Sequence, residues 1–297
     1  MHTIGIDVGG TSTRAAAIDS VGRILSSRRA PTPRGVDDFC GWIVDVVQHI
    51  QRGIAEGTVG GVGLALPGVV DAERGVVKRC VNLPFLEGQL LRDELSKNTG
   101  LAVRLMTDAD ATTWGEYTAC TPRPRSFVHL RLGTGVACGI VVDNRLQPTD
   151  PERTTHWKVL VVDDRPEAVA CPCGLRGCLE TIASGPSLEA RAARAAIPGG
   201  LAGLQQAWER NDSAASEIVS NAARGLVAAI SNLKSRNSNE FVVCLGGGVI
   251  TALPCLLEQT AERLRSFDDD FPKRVVIHPS RLGDDAGVIG AANLARV

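Results

Sequence analysis

The sequence predicts an α/β protein of two lobes, on the strength of three observations. At 297 residues the chain is longer than one ordinary hydrophobic core supports. Segments with strand and helix periodicity alternate along most of its length. A plan of strand, glycine turn and strand occurs near the N-terminus and again near residue 133. We interpret this as an internal duplication, with chance similarity of two hairpins as the alternative, and we expect a cleft between the lobes.

The first hairpin carries a candidate phosphate-binding turn. An apolar run over residues 3–8 leads into Gly9-Gly10-Thr11, and a second run covers residues 13–18. Glycine lets backbone N–H groups approach a ligand closely, and Thr11 adds a hydroxyl donor. Asp7, at the strand end directly before the turn, is placed to hold Mg²⁺ or its waters. A turn-capping aspartate is the alternative interpretation of Asp7.

The second hairpin repeats this arrangement. Residues 129–132 lead into Gly133-Thr134-Gly135. Gly9 lies ten residues before Asp19, as Gly133 lies ten residues before Asp143. A single turn of this kind would be weak evidence, but two opposed tips can hold a polyphosphate from both sides.

Strand ends between the hairpins supply three further candidate ligand positions. Strand 62–66 leads into a turn at Gly68, and Asn82 stands just before a Leu-Pro pair. Asp108 follows a strand at 102–106 and begins a helix. Carboxylates at such positions face ligands in open α/β sheets, and a helix N-cap is the competing explanation.

The C-terminal part predicts a nucleotide-binding turn and a closing helix. Two long helical stretches cover roughly 187–196 and 212–233. An apolar strand at 240–245 then runs into Gly246-Gly247-Gly248 and a helix, which leaves room for a ring or a phosphate against the backbone. After a last strand, small residues over 283–292 predict a helix packed tightly on its neighbours.

The most specific signal is a cysteine knuckle. Cys171, Cys173 and Cys178 have C-x-C-x4-C spacing, and glycines allow a tight loop that turns three sulfurs toward a Zn²⁺ ion. His156 would complete a tetrahedral Cys3His site, which is typical of structural zinc. A disulfide or three packed thiols are the alternatives. A knuckle fixed by metal would also hold Glu180 in place.

Composition narrows the class of partner. The formal net charge is −1, with 32 Lys+Arg against 33 Asp+Glu, so there is no electrostatic case for nucleic acid or a membrane surface, and we expect a small-molecule ligand. No signal-peptide pattern and no long apolar run occurs, which predicts a cytoplasmic protein. Six of the nine cysteines are expected to be small buried hydrophobes. These are Cys40, Cys80, Cys120, Cys138, Cys244 and Cys255.

With these residues laid out, the chain resembles the ROK family (repressors, open reading frames and kinases) within the actin-like ATPase fold. The matching motifs are Asp7 to Thr11 with Arg14, Pro67 to Asp71, Asn82 to Pro84, Asp108, Gly133 to Gly135, Cys171 to Glu180, Gly246 to Gly248, and Gly287. The resemblance implies a ribonuclease H-like, duplicated βββαβαβα core. We expect the first lobe over 1–118, completed by a C-terminal helix at about 284–297, and the second over 119–283.

The resemblance also implies an activity, which is ATP-dependent phosphorylation of a hexose or amino sugar with Mg²⁺ and a structural Zn²⁺. Asp108 would be the general base that accepts the hydroxyl proton, and Asp7 would serve the metal and phosphates. The other implied positions are Gly9, Gly10, Thr11, Gly133, Thr134 and Gly135 for phosphates, Gly246, Gly247 and Gly248 for adenosine, and Gly68, Asn82, His156 and Glu180 for the sugar. Dimers are common in the family, so a homodimer is expected. The repressor branch carries a winged helix that has no counterpart here, so DNA binding is not expected.

Departures from the family pattern fall in the sugar site. Arg153 stands where the family usually has a glutamate that accepts hydrogen bonds from sugar hydroxyls, and a guanidinium cannot accept them. Glu152 would substitute only if the loop slips by one residue. Thr107 replaces a common Asn before the base, and Asp110 replaces another.

Three hypotheses follow from these departures. The first is an active kinase with an altered sugar preference, the second a non-catalytic sensor of sugar or nucleotide, and the third an ATPase that uses water as acceptor. Retention of Asp108 favours the first. Arg153 also suggests an anionic acceptor, with an arginine turned to solvent as the alternative.

Overall fold

The computed structural model describes residues 1–54, 57–147, 160–163, 165–234, 241–266 and 275–296. The chain divides into two compact units. The first unit is Met1–Arg123 together with Asp284–Val297, and the second is Pro124–Gly283. Each unit has its own sheet, and the predicted α/β fold is confirmed.

A five-stranded mixed sheet forms the centre of the first unit. Its strands, in spatial order, are β3 (Ile24–Pro31), β2 (Ser12–Ile18), β1 (His2–Val8), β4 (Val59–Leu66) and β7 (Val103–Thr107). The first three pair antiparallel, while β1 with β4 and β4 with β7 pair parallel. Strand β1 is a near-continuous apolar run because it lies at the middle of the sheet, and Ile4, Ile6 and Val8 are buried.

Two helices of the first unit bury apolar residues along one face. Helix α1 (Val36–Gly53) buries Phe39, Ile43, Val47 and Ile50, which recur at three- and four-residue spacing. Helix α2 (Leu91–Thr99) buries Leu91 and Leu95 and ends at Gly100, whose φ of 70° suits glycine. A small ribbon of β5 (Val69–Asp71) and β6 (Val76–Arg79) precedes α2.

The closing helix packs directly on strand backbones. Helix α10 (Ala286–Leu294) lies against β1, β4 and helix α3 (Asp108–Thr118). A Cβ at Gly5 would overlap the carbonyl of Val288, and one at Gly63 would overlap that of Ala291. The predicted tight packing of small residues is therefore confirmed.

The sheet of the second unit repeats the plan of the first. In spatial order its strands are β10 (Arg145–Leu146), β9 (Val136–Val142), β8 (Ser126–Leu132), β11 (Phe241–Gly246) and β12 (Val275–Pro279). The hairpin strands pair antiparallel and the last three strands pair parallel. Since strand order and pairing match those of the first sheet, the predicted duplication is confirmed at the level of topology.

Helices of the second unit enclose a core with β8, β11 and each other. They are α4 (Glu180–Ala183), α5 (Gly185–Arg194), α6 (Gly200–Glu209), α7 (Ser213–Lys234), α8 (Gly248–Ala252) and α9 (Cys255–Arg265). The sequence did not predict α6, because its first turn is rich in glycine. The helix is nevertheless amphipathic and buries Leu204 and Ala207.

The cysteines agree with the expected interior. None of the nine cysteines, all within the described residues, forms a disulfide, and the six predicted as buried hydrophobes are buried. Burial raises the pKa of Cys138 to about 12, so that thiol is neutral and unreactive. Within the described residues, we find no helix that combines the length and the apolar character needed to cross a membrane.

Candidate functional site

In the first unit, the predicted phosphate turn follows β1 and is held by hydrogen bonds from Thr32, the residue directly after β3. The N–H of Gly9 donates to the carbonyl of Ser12 at 2.9 Å. The Thr32 hydroxyl donates to the carbonyl of Gly9 at 2.7 Å, and the Thr32 N–H donates to the carbonyl of Thr11 at 3.0 Å. These bonds use carbonyls, so they hold the turn without covering the Thr11 side chain, which is exposed.

Asp7 lies against the first turn of α10. A Cβ at Gly287 would overlap the Asp7 carboxylate, so only glycine leaves room for it there. The start of a helix favours a negative charge, because the unsatisfied backbone N–H groups there carry partial positive charge. A second link joins the same segments: Arg14 forms an ion pair with Asp285 and donates to the carbonyl of Asp284 at 3.2 Å.

Asp108 is the first residue of α3, at the carboxyl end of β7. The N-cap of this helix is Thr107, whose hydroxyl accepts from the Asp110 N–H at 3.0 Å. Asp108 accepts the N–H of Ala109 at 2.9 Å and is half-buried. The competing N-cap explanation of Asp108 is therefore wrong, and Thr107 performs the capping that an Asn would perform.

Asn82 and Gly68 lie in neighbouring backbone turns. Gly68 has φ of 97°, and a Cβ there would overlap the carbonyl of Arg79. A Cβ at Gly10 would lie 3.4 Å from Cβ of Asn82, which places the predicted phosphate turn beside this loop. Burial raises the pKa of the Cys80 thiol, opposed by hydrogen bonding to Leu83 and aided in small part by the charge of Asp108.

Arg34 is a residue that the sequence analysis missed. Its guanidinium donates to the carbonyl of Gly10 at 2.7 Å and to the carbonyl of Asn82 at 3.4 Å. It thus ties the glycine turn to the Asn82 loop. No spacing rule links residue 34 to residue 82, so only the folded chain reveals this contact.

In the second unit, Glu180 lies against the predicted Gly133-Thr134-Gly135 turn. Oε2 of Glu180 accepts the N–H of Val136 at 2.9 Å, and a Cβ at Gly135 would lie 2.7 Å from the same oxygen. The carbonyl of Gly133 accepts the N–H of Gly185 at 2.8 Å. Helices α4 and α5 therefore hold this turn from behind.

The Gly246-Gly247-Gly248 turn is adjacent to the same hairpin. Gly247 has φ of 92°, and a Cβ there would overlap the carbonyl of Leu132, the last residue of β8. A Cβ at Gly246 would lie 2.9 Å from Nε2 of His129. The predicted adenosine turn and the predicted phosphate turn are thus neighbours at the carboxyl ends of parallel strands.

The knuckle brings three sulfurs together. The Sγ atoms of Cys171, Cys173 and Cys178 all lie within 4.8 Å of one another, with 3.5 Å between Cys173 and Cys178. Thiolates bound to one zinc at about 2.3 Å lie about 3.8 Å apart, so the set fits this ion, whereas a disulfide needs about 2.05 Å. Burial raises the pKa of Cys171 and of Cys178.

The predicted fourth ligand and the predicted sugar-binding loop lie outside the described residues. His156, Glu152 and Arg153 all fall in this gap. Sγ of Cys171 lies 3.8 Å from Oε1 of Glu180, so the knuckle contacts the same carboxylate that meets the Val136 N–H. The predicted link between the knuckle and the position of Glu180 has this contact as its physical basis.

Comparison with known proteins identifies the family of the chain. A family model described as "ROK family" matches residues 3–297. An N-acetylmannosamine kinase of Salmonella paratyphi B is 31% identical, over 100% of this chain and 99% of that protein. The ROK hexokinase of Thermus thermophilus has a TM-score of 0.82 at 30% identity, over 100% of this chain and 98% of its own. A Streptomyces griseus ROK glucokinase, solved with glucose and AMPPNP, has a TM-score of 0.75 at 28% identity, over 100% and 99%. This chain belongs to the ROK family and has its actin-like ATPase fold.

Proposed function

We propose that the protein is an ATP-dependent sugar kinase that phosphorylates a hydroxyl of a hexose or an amino sugar. The observation that carries the proposal is the position of Asp108. Thr107 is the N-cap of the helix, and Asp108, its half-buried first residue, stands at the carboxyl end of β7, where open α/β sheets bind ligands. Two of the similar proteins, a glucokinase and an N-acetylmannosamine kinase, have activities of this class.

Asp108 acts as the general base in this proposal. It accepts the proton of the sugar hydroxyl as that oxygen attacks the γ-phosphorus of ATP, and ADP is the leaving group. A positioned base contributes about 10²- to 10⁴-fold, with the remainder from positioning and charge stabilisation.

In this proposal, different glycine turns bind different parts of the nucleotide. Gly9, Gly10, Thr11, Gly133, Thr134 and Gly135 would take the phosphates, and Gly246, Gly247 and Gly248 would take the adenosine. At Gly9 and Gly247 a Cβ would meet the carbonyls of Ser12 and Leu132, so the turns themselves require glycine. Glycine also lets backbone N–H groups approach a phosphate closely, which supports this assignment. Asp7 would hold Mg²⁺, which neutralises charge that develops on the phosphates.

The sugar would be held by Gly68, Asn82, His156 and Glu180. Arg34 supports this group, because its contacts with Gly10 and Asn82 keep the sugar loop beside a phosphate turn. Cys171, Cys173, Cys178 and His156 would hold a structural Zn²⁺, which cross-links the knuckle and so restrains Glu180.

The test is a coupled assay with Mg-ATP and a panel of hexoses, N-acetylated amino sugars and sugar acids. We expect turnover with at least one hexose or amino sugar. In the Asp108→Asn variant kcat should fall about 10²- to 10⁴-fold, with little change in the KM for ATP. Asp110→Asn is the matched control, since it makes the same change two residues along the helix and should keep kcat within a few-fold. Absence of turnover on the whole panel would overturn the proposal.

A second candidate is a sensor that binds sugar or nucleotide without turnover, and Arg153 is the observation in its favour. It predicts calorimetric binding of glucose or AMPPNP by a wild-type protein that releases no ADP. Release of ADP at a rate that no sugar changes would instead indicate an ATPase with water as acceptor.

A further inference from the structure

A cavity of about 590 Å³ lies in the second unit, behind the knuckle. Its walls come from the knuckle region, from α4 and α5, and from the middle of α7. Val162, Val169, Ile182 and Ala228 give it an apolar part. The volume is within the range of small-molecule sites in proteins.

Arginines dominate the polar part of the cavity. Among the lining residues that the structure describes, Arg165, Arg191 and Arg224 are the cations and Asp163 is the carboxylate. Arg165 forms a bidentate pair with Asp163, with N–O distances of 2.8 and 2.7 Å, and its Nε also lies 3.9 Å from Oε1 of Glu167, so its charge is neutralised. The surplus charge therefore comes from Arg191 and Arg224.

The two remaining guanidiniums bond to neutral oxygens. Arg191 donates to the carbonyl of Thr181 at 3.3 Å, and Arg224 donates to the side-chain carbonyl of Asn221. In the part of the chain that the structure describes, neither forms an ion pair with a carboxylate. Each guanidinium has five N–H donors, so both retain donors for a further acceptor.

We propose that this cavity binds a small organic phosphate monoester, with Arg191 and Arg224 on the phosphate and the apolar part against the carbon skeleton. A monoester carries about −1.5 to −2 charges at pH 7, which balances two guanidiniums, whereas a monocarboxylate balances one. Guanidiniums also match phosphate oxygens bidentately.

The site is separate from the residues assigned to ATP and sugar, so it does not depend on the proposed kinase activity. An occupant would, however, contact Thr181 and Ile182, which directly follow Glu180. Binding there would thus bear on the short helix that positions this carboxylate.

The test is calorimetric titration of the full chain with glycerol 3-phosphate at low ionic strength. We expect one site per chain, and at least a tenfold rise in Kd for the double variant Arg191→Met, Arg224→Met. The double variant Arg191→Lys, Arg224→Lys keeps the charge but loses the bidentate geometry, and should weaken binding less. Circular dichroism verifies that each variant is folded.

Arg194→Met with Arg210→Met is the matched control. It removes the same charge from exposed positions of the same unit that do not line the cavity, and Kd should stay within twofold of the wild-type value. Equal affinity of wild type and the Arg191, Arg224 double Met variant would overturn the proposal, as would no binding by the wild type. Inorganic phosphate that binds as tightly as glycerol 3-phosphate would overturn the role of the apolar part.

Discussion

Position 287 must be glycine because any side chain there would overlap the carboxylate of Asp7. Because Asp7 stands at the end of β1 and Gly287 in the first turn of α10, this contact couples a central strand to the closing helix. In the proposed kinase the contact would fix the carboxylate that we assign to Mg²⁺. The glycine is thus required by its neighbour and not by its own backbone, since its φ is ordinary for a helix.

Replacement Gly287→Ala should displace Asp7 and lower activity. We expect kcat with Mg-ATP to fall about tenfold or more, because small misplacements of positioning groups cost about that much, and the Mg²⁺ concentration for half-maximal rate to rise. Initial-rate measurements across a Mg²⁺ series check this. Gly41→Ala is the matched control: it lies in α1 with nothing within 4 Å of a new Cβ, and should stabilise the fold by about 0.5–1 kcal/mol at unchanged activity. Wild-type kinetics in Gly287→Ala would show that Asp7 has no such requirement.

Individual site residues differ in how far sequence reveals them. Turn glycines are readable, because a strand followed by glycines signals close backbone approach. Asp108 was placed correctly at a helix start, but the sequence left its capping role open until the Thr107 hydroxyl was seen to bond the Asp110 N–H. Arg34 was not readable, since its partners lie 24 and 48 residues away and depend on tertiary packing.

At the scale of elements, the cysteine knuckle is a loop of tight turns that require glycine. The N–H of Cys171 donates to the carbonyl of Leu175 at 2.8 Å, which closes the loop locally. Gly174 and Gly177 have φ of 92° and 67°, and a Cβ at Gly177 would overlap the carbonyl of Asp163. The glycines between the cysteines are therefore demanded by the loop, which explains why this motif was the strongest signal in the sequence.

Loss of one knuckle sulfur should release zinc and destabilise the second unit. In Cys173→Ser we expect zinc content to fall from about one ion per chain toward zero. The free energy of unfolding should drop by about 2 kcal/mol or more, which corresponds to about 4–8 °C in Tm. Elemental analysis and calorimetry measure the two effects. Cys120→Ala, in the first unit, should retain the ion. Purified wild-type protein without zinc, and with all three thiols titratable, would contradict this assignment.

At the scale of the whole molecule, the duplicated topology was predictable and the chain path of the first unit was predictable only in part. Two hairpins with equal spacing predicted the repeat, and the parallel strands that follow complete both sheets. Helix α6 was not predicted, because its amphipathic pattern is short and begins with glycine. Local periodicity does not indicate that residues 284–297 belong to the first unit. We expected this only from the resemblance to the family.

That return makes the first unit depend on the end of the chain. A Cβ at Gly290 would overlap the carbonyl of Ala111, so Gly290→Val should force α10 away from α3. We expect a loss of about 1–3 kcal/mol or more in the stability of the first unit, as for other overpacked cores. Hydrogen exchange should then accelerate in β1, β4 and α3, while β8, β11 and α7 keep their protection, because each unit has its own core. Gly53→Ala, at an open position at the end of α1, is the control and should leave both patterns unchanged. Equal loss of protection in both units would show instead that the chain unfolds as one cooperative body.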